Sequence, residues 1–280
     1  MNVRIIVDST ADLIPQVRQR LTVVPLTVCF GQQEYIDGVT ITHKEFYEKL
    51  VESDVLPTTS QATPAAFAQV FAQTERAGDS AVVLTISSKL SGTYQSAMIA
   101  AGDYDNIYVV DSGSVAIGMG ILAELALQLA DGGMCAREIA RQLEEEKKKV
   151  RIVAMVDTLE YLKRGGRISK TVAFAGELLN IKPVLSVVDG EITMLGKARG
   201  SKQGNNLLVT QIQKAGGVDF EKPVLLGYTG LTDVLLKKYM EDSSALWADS
   251  KEQLNYTAIG SVIRTHAGPG AIAAAFFKNE

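Results

Sequence analysis

Residues 81–101 read AVVLTISSKLSGTYQSAMIAA, and this stretch decides the fold of the first part of the chain. The apolar run at 81–86 predicts a buried strand, the small polar residues after it predict a loop, and residues 97–101 continue as a helix. Ser91 is placed to cap the start of that helix. Because a helix start exposes unpaired N–H groups and a partial positive charge, the loop is a candidate site for a carboxylate or phosphate. The alternative is that Ser91 serves only as a cap.

The same alternation of strand and helix extends over the first 150 residues. Apolar runs at 3–7, 23–30 and 107–110 predict further strands, and helical patterns lie between and after them. Strands that are apolar throughout are typical of a parallel sheet that is covered by helices on both faces. We therefore predict an α/β protein in which residues 1–150 form a three-layer α/β/α domain with a parallel sheet.

The pattern changes in the remainder of the chain, residues 151–280. The predicted strands lie at 151–156, 184–188, 191–195, 224–228 and 256–263. Two of these runs flank Asp189-Gly190, which is a strong signal for a hairpin. We therefore predict a second α/β domain with a mixed sheet, and no flexible linker separates it from the first.

The composition narrows the possible classes of protein. The 280 residues include 46% hydrophobic and 21% charged residues, and the net charge is −4. This is a globular balance without the basic surface that nucleic-acid binding requires. No run reaches the ~18 apolar residues of a membrane helix, and the run at 3–7, which Asp8 ends, does not resemble a signal peptide.

The two cysteines carry information about compartment and metal binding. Cys29 and Cys135 lack the spacing of a zinc site or of a disulfide framework. We therefore expect a cytoplasmic protein without a metal site, in which both cysteines are reduced and buried.

Hydroxyl-rich loops follow several of the predicted strands. They are Asp8-Ser9-Thr10, Thr58-Thr59-Ser60-Gln61, residues 87–93 and Asp111-Ser112-Gly113-Ser114. The ends of parallel strands open onto a common crevice where ligands usually bind, so we predict that neutral donors converge there on one small anionic group. Most of these side chains are expected to be helix caps. Thr59 and Ser91 are the two that we predict to contact the ligand directly.

His266 lies in the segment THAGPGA at 265–271, which we predict to be a loop after the last strand. The glycines on both sides of Pro269 allow a tight turn and a close approach to a ligand. An imidazole there could donate to a carboxylate, act as a base or attack a carbonyl, and a purely structural role is the alternative.

The basic segment KRGGR at 163–167 also has two interpretations. Cations in a last helical turn before glycine stabilise a helix end without any further function. The same cluster could instead receive a phosphate or an acidic partner surface. Arg167 is the residue that capping explains least, because it follows the glycines.

Several signatures of self-contained catalysis are missing from the sequence. It contains no GxxxxGK[ST] loop, no GxSxG elbow and no HExxH helix. The chain is therefore not expected to hydrolyse nucleotides by itself.

In order along the chain, seven segments are similar to motifs of the DegV family, which are bacterial fatty-acid-binding proteins. The segments are 8–13 (DSTADL), 35–39 (YIDGV), 57–61 (PTTSQ), 90–94 (LSGTY), 157–169 (DTLEYLKRGGRIS), 181–183 (IKP) and 266–271 (HAGPGA). Together they span the chain almost end to end, and their shared order makes the resemblance specific.

The resemblance implies a two-domain fold with an acyl tunnel between the domains, residues 1–150 carrying the head-group loops and 151–280 completing the tunnel. It also implies a site for the fatty-acid carboxylate, made by Thr59, Ser91, Gly92, Thr93 and His266. Arg167 falls where the family has an arginine that is tied to the head-group region or to a partner.

The partner that the resemblance implies is a separate fatty acid kinase subunit, which makes acyl-phosphate for phospholipid synthesis. Under this interpretation the chain is a lipid carrier and not an enzyme. It needs no cofactor, and its contact with membranes is at most transient, for lipid exchange.

A second interpretation makes the chain part of an enzyme. Its C-terminal part also resembles dihydroxyacetone kinases, in which a histidine bonds covalently to a small ketone, and His266 would then be a nucleophile. A DNA-binding regulator is disfavoured by the negative net charge and by the lack of a basic helix.

Overall fold

The structure, a computed structural model, describes residues 2–52, 55–168, 180–250 and 254–279. Ser169, at the end of the DegV-like segment 157–169, lies outside these residues. The part of the chain before Val150 is called the N-terminal half here, and the rest the C-terminal half. The division into two domains at residue 150 stays a prediction.

The described residues form alternating strands and helices. In chain order, the strands are β1 (Val3–Asp8), β2 (Thr22–Val24), β3 (Thr27–Phe30), β4 (Gln33–Ile36), β5 (Thr58–Ser60), β6 (Ser80–Thr85), β7 (Ile107–Asp111), β8 (Val150–Met155), β9 (Ile181–Val188), β10 (Glu191–Arg199), β11 (Leu225–Tyr228), β12 (Tyr256–Ala258) and β13 (Ile272–Phe277). The helices are α1 (Pro15–Arg18), α2 (His43–Glu52), α3 (Pro64–Arg76), α4 (Thr93–Ala101), α5 (Ala116–Asp131), α6 (Ala136–Glu146), α7 (Glu160–Arg164), α8 (Gly200–Lys214), α9 (Val234–Asp242) and α10 (Ser261–Ala267), with a 3-10 helix at Ser244–Trp247.

The N-terminal half contains the parallel sheet that the apolar runs predict. Its four strands are ordered β2-β1-β6-β7, and every pairing is parallel. Phe67 and Phe71 of α3 pack with Ala97 of α4 on one face. On the other face, α5 packs with Ile139 and Leu143 of α6. The α/β/α layering is therefore confirmed.

A small antiparallel sheet in the same half was not predicted. Its strand order is β4-β3-β5. The prediction of one strand over 23–30 is wrong, because the chain leaves the parallel sheet after Val24 and enters the small sheet at Thr27. Pro25 lies between them and has no N–H group to donate to a strand ladder.

The C-terminal half contains the predicted mixed sheet. Its six strands are ordered β10-β9-β8-β13-β11-β12, with one parallel pair, β11 with β12, among antiparallel ones. The hairpin at Asp189-Gly190 is confirmed, and both turn residues have positive φ. The central strand β13 was not predicted.

The predicted strand at 256–263 is wrong in its second part. The strand ends at Ala258, and Ser261–Ala267 forms helix α10, which carries His266. The histidine therefore lies in the last turn of a helix and not in a loop, and the turn of positive-φ glycines begins at Gly268.

Helix α5 lies between the two large sheets. It packs against β1 and β6 on one side and against β8, β11 and β13 on the other. Residues 116–123 and 125–127 of the helix are buried, whereas its polar residues Gln128 and Asp131, near the C-terminal end, are exposed. The two halves therefore share one helix in their core.

Two further expectations concern membrane helices and cysteines. Among the residues that the structure describes, no helix has the length and hydropathy needed to cross a membrane. Cys29 and Cys135 are both free thiols. The expectation that both are buried is wrong, because Cys29 is half-buried and Cys135, before α6, is exposed.

Candidate functional site

A cavity of about 400 Å³ lies between the two halves. Aliphatic side chains of both halves form most of its wall: Leu26, Ile86, Leu90, Val115, Ala116, Ile152, Ala154, Val156, Leu162, Leu185, Val187, Ile192, Ile259, Val262, Ile263, Ala271 and Ala273. Its polar lining includes Thr59, Gln61, Ser91, Arg167, Thr229 and His266. The cavity therefore combines a long apolar wall with a limited set of polar groups.

Ser91 and Gly92 line the cavity at the start of helix α4. The predicted cap at Ser91 is wrong by one residue, because Gly92 is the N-cap. The Ser91 hydroxyl instead accepts a hydrogen bond from the Thr93 N–H group at 3.3 Å and pairs with Thr93 Oγ1 at 2.9 Å. Because α4 begins here, the positive end of its dipole faces the polar part of the cavity.

Thr59 and His266 form a direct pair across the two halves. Thr59 Oγ1 lies 2.9 Å from His266 Nε2. Thr59 is on strand β5 of the small antiparallel sheet, so the prediction that it sits in a loop after a parallel strand is wrong. The structure nevertheless brings Thr59, Ser91 and His266 to one cavity, as predicted.

The imidazole of His266 is held in a close-fitting, desolvated position. A Cβ atom at Gly165 would lie 2.2 Å from His266 Nδ1, so only glycine leaves room for the ring there. Burial, together with the nearby charge of Arg167, lowers the pKa of His266 to about 4. The histidine is therefore neutral at pH 7 and carries a proton on only one ring nitrogen.

Two contacts from the C-terminal half hold the loop that carries Ser91. Arg167 Nε donates to the Leu90 carbonyl at 3.2 Å, and its NH1 group donates to the Gly165 carbonyl at 2.5 Å. Ser87 Oγ donates to the carbonyl of Gly190, in the hairpin turn, at 2.7 Å. Arg167 thus lies at the cavity and in contact with the Ser91 loop.

Ser60 also lines the cavity, whereas several other predicted hydroxyls do not. Thr93 is fully buried behind Ser91, and Thr10 donates to Asp8. In the loop 111–114, the side chains of Asp111 and Ser112 accept hydrogen bonds from backbone N–H groups of the same loop. These residues have the local, structural role that was expected for most of the set.

Sequence reasoning missed two features of the site. One is Gln61, which lines the cavity and donates to Ser96 Oγ at 2.9 Å. It belongs to the hydroxyl-rich segment 58–61 but was not predicted to contact the ligand. The other is the buried carboxylate pair of Asp12 and Asp37, which contacts the helix of His266. Asp12 and Asp37 both belong to DegV-like segments, and this was the available signal.

The chemistry of the cavity suits an amphiphile with one polar end. Hydroxyl groups, a neutral imidazole and a helix start can bind an oxyanion through hydrogen bonds without full neutralisation of its charge. The aliphatic wall offers no polar partner, so it favours an alkyl group. Fold and site together define an α/β protein with an internal cavity for such a molecule.

Comparison with known proteins assigns the chain to a family. A sequence model of the DegV family, described as uncharacterised protein, matches residues 2–279. A DegV domain-containing protein from Caldanaerobacter subterraneus is 34% identical over 284 residues, which cover 99% of each chain. The chain belongs to the DegV family.

Solved structures of similar proteins agree with the fold. A DegV family protein from Thermus thermophilus, a structure of fatty acid binding, superimposes with a TM-score of 0.87 at 32% identity and covers 99% of this chain and 100% of that one. A stearic-acid-binding protein from Eubacterium ventriosum superimposes with a TM-score of 0.86 at 29% identity and covers 99% of each chain. The fold is therefore that of fatty-acid-binding DegV proteins.

Proposed function

We propose that this chain binds one long-chain fatty acid in the cavity and presents its carboxylate to a separate kinase subunit in the cytoplasm. The observation that carries the proposal is the cavity itself, which has an aliphatic wall and the cluster of Thr59, Ser91 and His266. Similar proteins that bind fatty acids support the ligand. The kinase partner and the carrier role rest on the family resemblance.

The hydrogen bonds of the cluster leave two hydroxyl protons for a carboxylate. When His266 carries its proton on Nε2, it donates to Thr59 Oγ1, and the Thr59 hydroxyl is free to donate to the ligand. When Thr93 Oγ1 donates to Ser91 Oγ, the Ser91 hydroxyl is likewise free to donate. Thr93 therefore contributes by orienting Ser91 and not by direct contact.

The alkyl chain supplies most of the binding free energy in this proposal. Burial of about fifteen methylenes at roughly 0.8 kcal/mol each gives ~12 kcal/mol before the costs of association. The neutral donors then need only fix the position of the head group.

The enzyme interpretation, with His266 as a nucleophile toward a small ketone, is less well supported by the lining. A small polar ketone would leave most of the aliphatic wall without contact, whereas an alkyl chain fills it. Native mass spectrometry of the protein with dihydroxyacetone should therefore show no adduct, and an adduct on His266 would favour the enzyme.

Mass spectrometry of the purified protein tests the ligand directly. An organic extract of the recombinant chain should contain a long-chain fatty acid near one equivalent, and the delipidated protein should take up palmitic acid on titration. If the extract contains no such acid and titration shows no uptake, the proposed function is wrong.

Ser91→Ala and Thr59→Val should each weaken binding of the carboxylate. Each change removes one buried donor, which costs about 1–3 kcal/mol, or roughly 5- to 150-fold in Kd. Titration with palmitic acid measures the effect. Ser88→Ala is the matched control, since Ser88 is an exposed serine of the same loop. Unchanged affinity in both test variants would remove these residues from the site.

Arg167→Ala should lower acyl-phosphate formation with the kinase more than it lowers fatty-acid affinity. Arg167 lies at the cavity, where a guanidinium can stabilise a phosphoryl group during transfer. Initial rates with the kinase and a binding titration measure the two effects separately. Arg164→Ala is the control, because Arg164 is exposed and paired with Glu160. A normal rate for the Arg167 variant would refute its role.

A further inference from the structure

The helix that carries His266 cannot be stable by itself. Helix α10 has seven residues, Ser261–Ala267, whereas isolated helices shorter than about 12 residues are marginal in water. Its N-cap is Gly260, which offers no side chain to accept the first N–H groups. The position of His266 must therefore depend on contacts from outside the helix.

Two carboxylates of the N-terminal half supply the missing contacts. Asp12 Oδ1 accepts from the Gly260 N–H group at 2.7 Å, and Asp37 Oδ1 accepts from the Ser261 N–H group at 3.2 Å. Asp37 Oδ2 also accepts from Ser9 Oγ at 2.8 Å, so the carboxylate is fixed on both sides. Asp12 and Asp37 are 5% and 3% exposed. They occupy the place that a capping side chain takes in other helices.

Arg264, one turn further along α10, adds a cation–π contact with the N-terminal half. It is 1% exposed, and its guanidinium carbon lies 4.9 Å from the centroid of the Tyr47 ring on α2. Burial raises the pKa of Asp12 to about 8, and the charge of Arg264 acts in the opposite direction. The N-terminal half thus contacts α10 at its start and its middle, and Thr59 contacts His266 near its end.

We propose that Asp12 and Asp37 are positioning residues for His266: they fix α10 so that the imidazole meets Thr59 at the cavity. The importance of this position for ligand binding rests on the proposed function. The same segment contributes Ile259, Val262 and Ile263 to the cavity wall, so a shift of α10 also changes the fit of the alkyl chain.

Imidazole NMR of the ligand-free, full-length protein tests the proposal. The chain has two histidines, His43 and His266, so a His43→Gln variant assigns both signals. In Asp37→Ala, the ¹⁵N signals of His266 should shift from their wild-type values and its titration should move from low pH toward that of an ordinary histidine. Asp37→Asn keeps an oxygen acceptor for the Ser261 N–H group, and it should restore the wild-type signals.

A matched control separates positioning from a general loss of stability. Asp79 is another carboxylate that accepts from a backbone N–H group, that of Asn2, and from an arginine, Arg4. Asp79→Ala should leave the His266 signals and fatty-acid affinity unchanged. Asp37→Ala should weaken palmitic-acid binding about tenfold, the equivalent of one lost hydrogen bond.

Ser261→Pro is a second variant for the case that Asp37→Ala does not fold. Proline is favoured at the first helical position, and it removes the Ser261 N–H group that donates to Asp37, together with the Ser261 hydroxyl. The preceding Gly260, at φ −70° and ψ 166°, is compatible with it. It should shift the His266 signals as Asp37→Ala does.

Unchanged His266 signals in a folded Asp37→Ala or Ser261→Pro protein would overturn the proposal. A shift of equal size in Asp79→Ala would also overturn it, since the effect would then be general. Failure of the proposed function gives a different result. The wild-type protein would then take up no fatty acid, whereas the NMR comparison would still test the position of His266.

Discussion

Replacement of Ala273 by leucine should reduce affinity for octadecanoic acid by roughly 30-fold. Ala273 lines the cavity and pairs in register with Ala154 and Gly227 on the neighbouring strands, so these three small residues form a row across the sheet. Two residues further along, Ala275 and Leu225 are buried in the core. The row therefore forms part of the sheet side of the cavity wall. Three added carbons would displace about three methylenes of the ligand, at about 2 kcal/mol in total.

Titration with fatty acids of increasing length measures this effect. The loss should be larger for octadecanoic acid than for dodecanoic acid, because the longer chain needs more of the cavity volume. Ala273→Gly is the matched control and should bind both acids as the wild type does, with thermal unfolding as a check on the fold. Wild-type affinity of the leucine variant for octadecanoic acid would show that no alkyl chain occupies this space.

Replacement of Gly268 by alanine should lower the free energy of unfolding by about 3 kcal/mol. Gly268 ends helix α10 with φ 72° and ψ 179°, a conformation that only glycine adopts readily. A Cβ atom there would also lie 2.4 Å from Cδ2 of the Tyr161 ring, on α7. Because the residue is two positions from His266, relief of the clash should also displace the imidazole and weaken fatty-acid binding.

Thermal and chemical unfolding of Gly268→Ala measures the loss, which corresponds to about 6–10 °C in Tm for a chain of this size. Gly78→Ala is the matched control. Gly78 has φ +68° but nothing within 4 Å of an added Cβ. Alanine there introduces backbone strain without a clash, so the free energy of unfolding should fall by about 1 kcal/mol. Equal effects of the two substitutions would show that the contact with Tyr161 is unimportant.

The parallel sheet and the Ser91 loop were predictable because their signals are local. The apolar run at 81–86 and the small residues after it lie within one strand–loop–helix unit, and β6 and α4 form there. The hairpin at Asp189-Gly190 is local in the same way, since the turn residues themselves require positive φ.

The missed elements depend on residues far away in the chain. Strand β13 has the sequence IAAAFF, and its three alanines favour a helix until β8 and β11 pair with it on both sides. In α10, the β-branched Val262, Ile263 and Thr265 favour a strand. The carboxylates that hold the helix start come from positions 12 and 37, more than 200 residues earlier.

In the candidate site, the residues were predictable from the sequence and their geometry was not. Thr59, Ser91 and His266 were singled out as separate hydroxyl and imidazole signals, and the family resemblance grouped them. Their geometry was not predictable. Thr59 lies on an edge strand and His266 on a helix, whereas the sequence patterns predict a loop for both. The cavity had no signal in composition or periodicity, because the same aliphatic residues would also fill a solid core.

Both halves contribute to the aliphatic wall of the cavity. Binding of a ligand in the cavity would therefore make the protein more rigid. A molecule held there would touch residues of both halves at once and add packing between them. Full and vacant carriers would then differ in how readily the halves move apart. A partner protein that responds to this difference could distinguish the loaded carrier from the empty one without contacting the buried alkyl chain.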